Sequence, residues 1–145
     1  MFHANGLIVE RDGWVVEQCR GCLLPGYLIV RPIVPVQGLS ALPAEAASQL
    51  GPLLQVIVRS IEAALSPARV YVAQFGEEQQ DLHFHVFPRT AALTADYLEQ
   101  QQGPHSVISG PLLFDWARDR YRANTASTET VRVFKVLRQR LRVDR

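Results

Sequence analysis

Residues 81–87, Asp-Leu-His-Phe-His-Val-Phe, constrain the fold more than any other stretch of this chain. Side chains alternate across a strand. In extended form Leu82, Phe84 and Val86 therefore occupy one face, and Asp81, His83, His85 and Phe87 share the other. The first face is apolar and demands a covering layer. The second carries three ionisable groups in a row, each about 7 Å from the next, so one small ligand can touch several of them. Such a strand calls for a sheet with a core on one side and room for chemistry on the other.

The covering layer is legible at residues 43–65. Ala46, Leu50, Leu53, Ile57, Ile61 and Ala64 recur close to a 3.6-residue period, which predicts a long amphipathic helix. Pro43 suits the first turn, Glu45 suits the positive helix end, and Ser66-Pro67 stops the run. Gly51-Pro52 predicts a kink or a separated first turn. The partner strands are equally plain. "GLIVER" and "WVVEQC" flank Arg11-Asp12-Gly13 and form a hairpin. "YLIVRP" follows Pro25-Gly26 as a third strand, and "IVPVQGLSAL" is extended because of its two prolines. "RVYVAQF" is a fourth strand, joined to "DLHFHVF" by a short polar link, so these two should pair antiparallel. After Pro88 the texture turns helical in "GPLLFDWARDRY" and "TVRVFKVLRQRLR". The expected architecture is α+β: an antiparallel sheet of about five strands, one long helix across it, and C-terminal helices.

Composition bounds the function. The hydrophobic fraction of 48% in 145 residues supplies one real core and excludes a disordered tail. A net charge of +1 gives no strong attraction to nucleic acid or membranes. No apolar run is long enough to span a bilayer and the first residues lack a signal-like apolar stretch, so a cytoplasmic protein is expected. Near the C-terminus Val133, Leu137 and Leu141 form a stripe ringed by Arg132, Lys135, Arg138, Arg140 and Arg142. That pattern favours a packed helix with a solvated basic side over an RNA-binding face. Cys19 and Cys22 form "CRGC". A redox pair of the thioredoxin kind should open a helix, but "LLPGY" follows. Zinc needs two more ligands, and only His3 and His105 remain for it. Reduced thiols are the expectation.

Three chemistries compete for the histidine face. It is a solvated sheet face, or a metal fragment, or a nucleophile pair. A His-x-His strand with Gly76 seven residues earlier resembles cupin-type metal sites, but "VFPRTAALT" offers no acidic ligand and the long helix opposes an all-β barrel, so no metal is expected. A neutral imidazole, by contrast, attacks phosphorus when its other ring nitrogen is held and a donor stands beside it. Asp81, His83 and His85 supply those parts.

At this point the chain resembles the histidine triad (HIT) family of nucleotide hydrolases and transferases, whose motif alternates three histidines with hydrophobic residues. "DLHFHVF" matches with Asp81 in place of the first histidine, and Pro88-Arg89 continues it. "LPGYLIVRP", the helix beginning "LPAEAASQLGPLL" and "VYVAQFG" resemble the family's strand–helix–strand order, over roughly residues 5–90. The resemblance implies a HIT-like catalytic core at 1–90, with 91–145 a helical extension packed on the same domain. It implies His83 as nucleophile, His85 as the group at the phosphate and leaving group, and Gln74 as a phosphate contact. It further implies action at a nucleotide's α-phosphorus, on a phosphoanhydride or phosphoramidate, with no metal or other cofactor, in a homodimer. Asp81 would orient His83 through its carboxylate. The rivals are a non-catalytic nucleotide-binding protein of the same fold and a metal-binding His-x-His protein.

Overall fold

The computed structural model describes residues 6–101, 108–123 and 125–143. Strands β1 (Leu7–Arg11) and β2 (Trp14–Gln18) form the expected hairpin. Its two loop residues, Asp12 at φ 53° and Gly13 at φ 84°, are both left-handed. A two-residue loop of this hand matches strand twist, and Asp-Gly tolerates it. β3 (Leu28–Pro32) pairs with β2. The turn before it needs Gly26: its φ is +73°, and a Cβ there would meet the Leu65 Cδ1 at 2.7 Å.

Helix α1 (Ala44–Leu65) crosses next. It does not split at Gly51-Pro52. Pro52 is exposed, while Leu53, Ile57 and Ile61 are buried on either turn beyond it. Proline removes one helical hydrogen bond, and the buried stripe holds the rest of the helix in register. Ser66 closes the helix in a left-handed conformation at φ 46°. The preceding segment, expected to be extended, contains one 3₁₀ turn at Leu39–Ala41.

β4 (Arg69–Ala73) and β5 (Phe84–Arg89) complete an antiparallel sheet ordered β1-β2-β3-β5-β4. The histidine strand is therefore internal. It begins one residue after His83 and runs through Pro88. β3 pairs only with Phe84–Val86, so Pro88, which has no N–H to offer, lies beyond the end of that pairing.

Both sheet faces are covered. Leu82, Phe84 and Val86 pack with Leu28, Val30, Ile57 and Ile61, as the alternation predicts. The helices after residue 90 divide between the faces. α2 (Ala91–Gln100) and α3 (Gly110–Arg120) lie on the histidine side, where Leu93, Tyr97, Leu113 and Phe114 pack with Phe87 and Tyr27. α4 (Thr128–Val143) joins α1 on the opposite side, burying Val133, Phe134, Leu137 and Leu141. Its first turn is pinned by the Thr130 hydroxyl, which donates to the Leu23 carbonyl at 2.6 Å. No described helix is long and apolar enough to cross a membrane.

Candidate active site

His85 sits in the middle of the sheet, paired with Ile29 of β3 on one side and Ala73 of β4 on the other. It is 5% exposed. Phe114 covers it edge-on with ring centroids 5.4 Å apart, and Phe75 lies 6.1 Å away. Burial is the main reason its pKa falls from 6.5 to about 4, with the His83 and Arg118 charges adding to the effect. The ring is therefore neutral near pH 7. Its Nδ1 lies 2.7 Å from the Tyr27 hydroxyl. Burial drives the Tyr27 pKa far upward, so the phenol keeps its proton. An imidazole nitrogen is the strong acceptor in reach, and we assign the bond as Tyr27 O–H donating to Nδ1. The His85 proton then resides on Nε2.

His83 stands just before β5, its ring 4.9 Å from that of His85 and inclined at 68°. Its Nδ1 lies 2.8 Å from the main-chain carbonyl of Asp81. A carbonyl only accepts, so Nδ1 carries the proton and Nε2 of the neutral ring is left with a free lone pair. Asp81 meets His83 here through its backbone. Its carboxylate instead accepts a hydrogen bond from the Gln37 side-chain amide at 3.3 Å. The short loop is tied down by the Leu82 N–H, which donates to the Val36 carbonyl at 2.7 Å.

Both histidines line a cleft of about 310 Å³. Residues Phe75–Gln79 form one wall, and Pro111, Phe114, Asp115 and Arg118 of α3 form the other. Gln74 follows β4 and bonds the Phe75 carbonyl through its amide; it is not among the residues lining the cleft. A second hollow of about 630 Å³ shares Glu78, Asp115 and Arg118 with the first and reaches Cys19 and Cys22. Both cysteines are free thiols. Cys22 is buried, with Sγ 3.8 Å from the Ala117 carbonyl, and burial pushes its pKa to about 11. His3 and His105, the possible zinc partners in the sequence, lie outside the described residues. Among the described residues, no three His, Cys, Asp or Glu side chains are grouped to hold a metal ion.

Sequence reasoning missed Tyr27, Phe75, Phe114 and Arg118. Alternation within "YLIVRP" puts Tyr27 opposite Leu28 and so was a usable signal once β3 is placed beside β5. Nothing in the sequence says that α3 covers the histidines.

No family model matches the chain, and no curated protein matches it. Solved structures do. A hypothetical histidine triad nucleotide-binding protein from Sulfolobus tokodaii superposes with a TM-score of 0.65 at 12% identity, covering 97% of this chain and 85% of that one. A histidine triad protein from Bradyrhizobium japonicum gives 0.64 at 16% identity, with 93% and 89% covered. One from Sinorhizobium meliloti gives 0.62 at 15% identity, with 95% and 87% covered. The fold is the histidine triad fold. Within that HIT fold, the two histidines and their hydrogen-bond partners described above belong to this chain's own geometry.

Proposed function

We propose that the protein is a HIT-type nucleotide hydrolase or nucleotidyl transferase that works at the α-phosphorus through a phospho-histidine on His83. One observation carries this reading: the Asp81 carbonyl holds the His83 proton on Nδ1 and leaves Nε2 bare at the cleft. The Nε2 lone pair attacks phosphorus, and the bond from phosphorus to the leaving group breaks with its electron pair going to that group. His85, whose Nε2 carries a proton beside His83, hydrogen-bonds the phosphoryl oxygens and stabilises the charge that develops on them, while the departing group takes its proton from water. Water, or another acceptor hydroxyl, then attacks phosphorus. The P–N bond breaks, its electrons return to His83, and the acceptor's proton passes to solvent. The S. tokodaii structure, described as a nucleotide-binding protein, supports a nucleotide as the ligand. We expect the assembly to be a homodimer, as the resemblance implies.

The alternative is a nucleotide-binding protein without turnover. It draws on the neutral state of His85, whose pKa near 4 makes it a hydrogen-bond donor more readily than a proton donor. Acid-quenched single turnover with nucleotides labelled at the α-phosphorus separates the two readings. The hydrolase traps label on His83. His83→Ala should lose label and at least about a thousandfold in turnover while still binding mononucleotide. Full activity in that variant would sink the mechanism, and tight binding without any label in the wild type would favour the binder.

A further inference from the structure

We propose that Arg118 on α3 is the residue that holds the phosphate charge in the histidine cleft. The inference rests on the phosphate-directed reading above and assigns a binding residue to it. Charge decides the matter first. The cleft is lined by three carboxylates, from Glu77, Glu78 and Asp115, and among the described residues Arg118 is its one Lys or Arg. An anion that enters to meet His83 is opposed by those acids, and a buried or half-buried anion needs a cationic partner. Among the described residues lining the cleft, Arg118 alone offers one.

Geometry agrees. The Arg118 guanidinium carbon lies 5.5 Å over the Phe114 ring, and that ring is the one covering His85 at 5.4 Å. That contact holds the guanidinium beside the ring, and its fork of N–H donors suits two phosphate oxygens. The side chain is half-buried. Among the described residues no carboxylate forms an ion pair with it, whereas Arg122, just after α3, and Arg132, on α4 across the sheet, pair with Asp119 and Glu129. Its charge also reaches His85, whose low pKa it contributes to. Arg118 also borders the second hollow, so a ligand gripped there can extend past Glu78 toward the cysteines.

The test uses inorganic phosphate as the probe and the imidazole NMR signals of His83 and His85 as the readout. Wild type, Arg118→Ala and Arg118→Lys are titrated, with phospho-histidine trapping run alongside. The proposal expects saturable shifts in the wild type. The phosphate Kd should weaken by about tenfold or more in Arg118→Ala. Arg118→Lys, which keeps the charge and loses the fork, should fall between the two. An Arg118→Ala protein that binds phosphate like wild type overturns the proposal and leaves the hydrolase reading standing. So does a wild type that traps phospho-histidine without responding to phosphate. A wild type that does neither removes both.

Discussion

The two faces of this sheet are packed by different chemistry. On the α1 and α4 side the core is mostly aliphatic, with Leu28, Val30, Ile57, Ile61, Val86 and Leu137 packed around Trp14, Phe84 and Phe134. On the α2 and α3 side the core is Tyr27, Phe87, Tyr97 and Phe114, and His85 is set into it with a buried hydrogen bond. Aliphatic packing adds stability and provides no proton, donor or acceptor. The aromatic face is built around polar atoms that must each find a partner. The first face holds the strand in place, and the second uses that fixed strand to define two tautomers.

The sharpest way to separate the faces is Ile57→Ala. Ile57 is fully buried on the inner face of α1, so the substitution should cost about 2–5 kcal/mol in urea unfolding. Single-turnover labelling of His83 should stay near wild type wherever the protein is folded. Chemistry that fails before the fold does would mean the faces are not separable.

The histidine face should instead reveal itself through pH. His85 has a folded pKa near 4 against 6.5 unfolded. Above pH 6.5 both states are neutral, and stability is at its full value. As pH falls from 6.5 toward 4, the unfolded chain gains the proton and the folded chain does not, so stability drops by up to roughly 3 kcal/mol. In His85→Gln this loss should shrink across the same window. Wild type and variant curves running parallel between pH 7 and 4 would show that His85 is not the group responsible.

Tyr27→Phe is a smaller cut at the same face. It removes the hydroxyl facing His85 Nδ1 and leaves that nitrogen without its 2.7 Å partner. The expected cost is about 1–3 kcal/mol in stability. Nitrogen chemical shifts should show the proton no longer confined to Nε2. If the shifts are unchanged, packing alone sets the tautomer.

The contrast between the faces also explains what the sequence disclosed. Local periodicity was enough to find α1, and alternation was enough to bury Leu82, Phe84 and Val86. The pairing of β4 with β5 followed from the short link between them. The site's surroundings depend on longer-range facts. Tyr27 meets His85 across 58 residues of sequence. β4 pairs Ala73 with His85, which sets Phe75 rather than Gln74 toward the histidines. α3 supplies Phe114 and Arg118 from a helix whose sequence does not say which sheet face it covers. The reading of the histidine strand as a merely solvated sheet face, one of the three weighed, gives way for the same reason: α2 and α3 pack over that side.

The smallest expected effect belongs to Asp81, where side chain and backbone have different jobs. The hydrogen bond to His83 comes from the Asp81 carbonyl, which every amino acid carries. The carboxylate is engaged by Gln37 at 3.3 Å in an exposed contact, and such contacts contribute little. Asp81→Asn keeps the carbonyl, the shape and a group able to bond Gln37. It should change kcat/KM by less than about twofold, as expected of a surface substitution outside special contacts. The His83 Nδ1 proton should remain visible by NMR and protected from exchange. Gln37→Ala serves as the control, since it frees the carboxylate without removing it. If Asp81→Asn lowers the rate about tenfold while Gln37→Ala leaves it alone, the carboxylate itself acts on His83 through space. If both variants match wild type, His83 is oriented by backbone geometry, and the side chain at position 81 is free to vary.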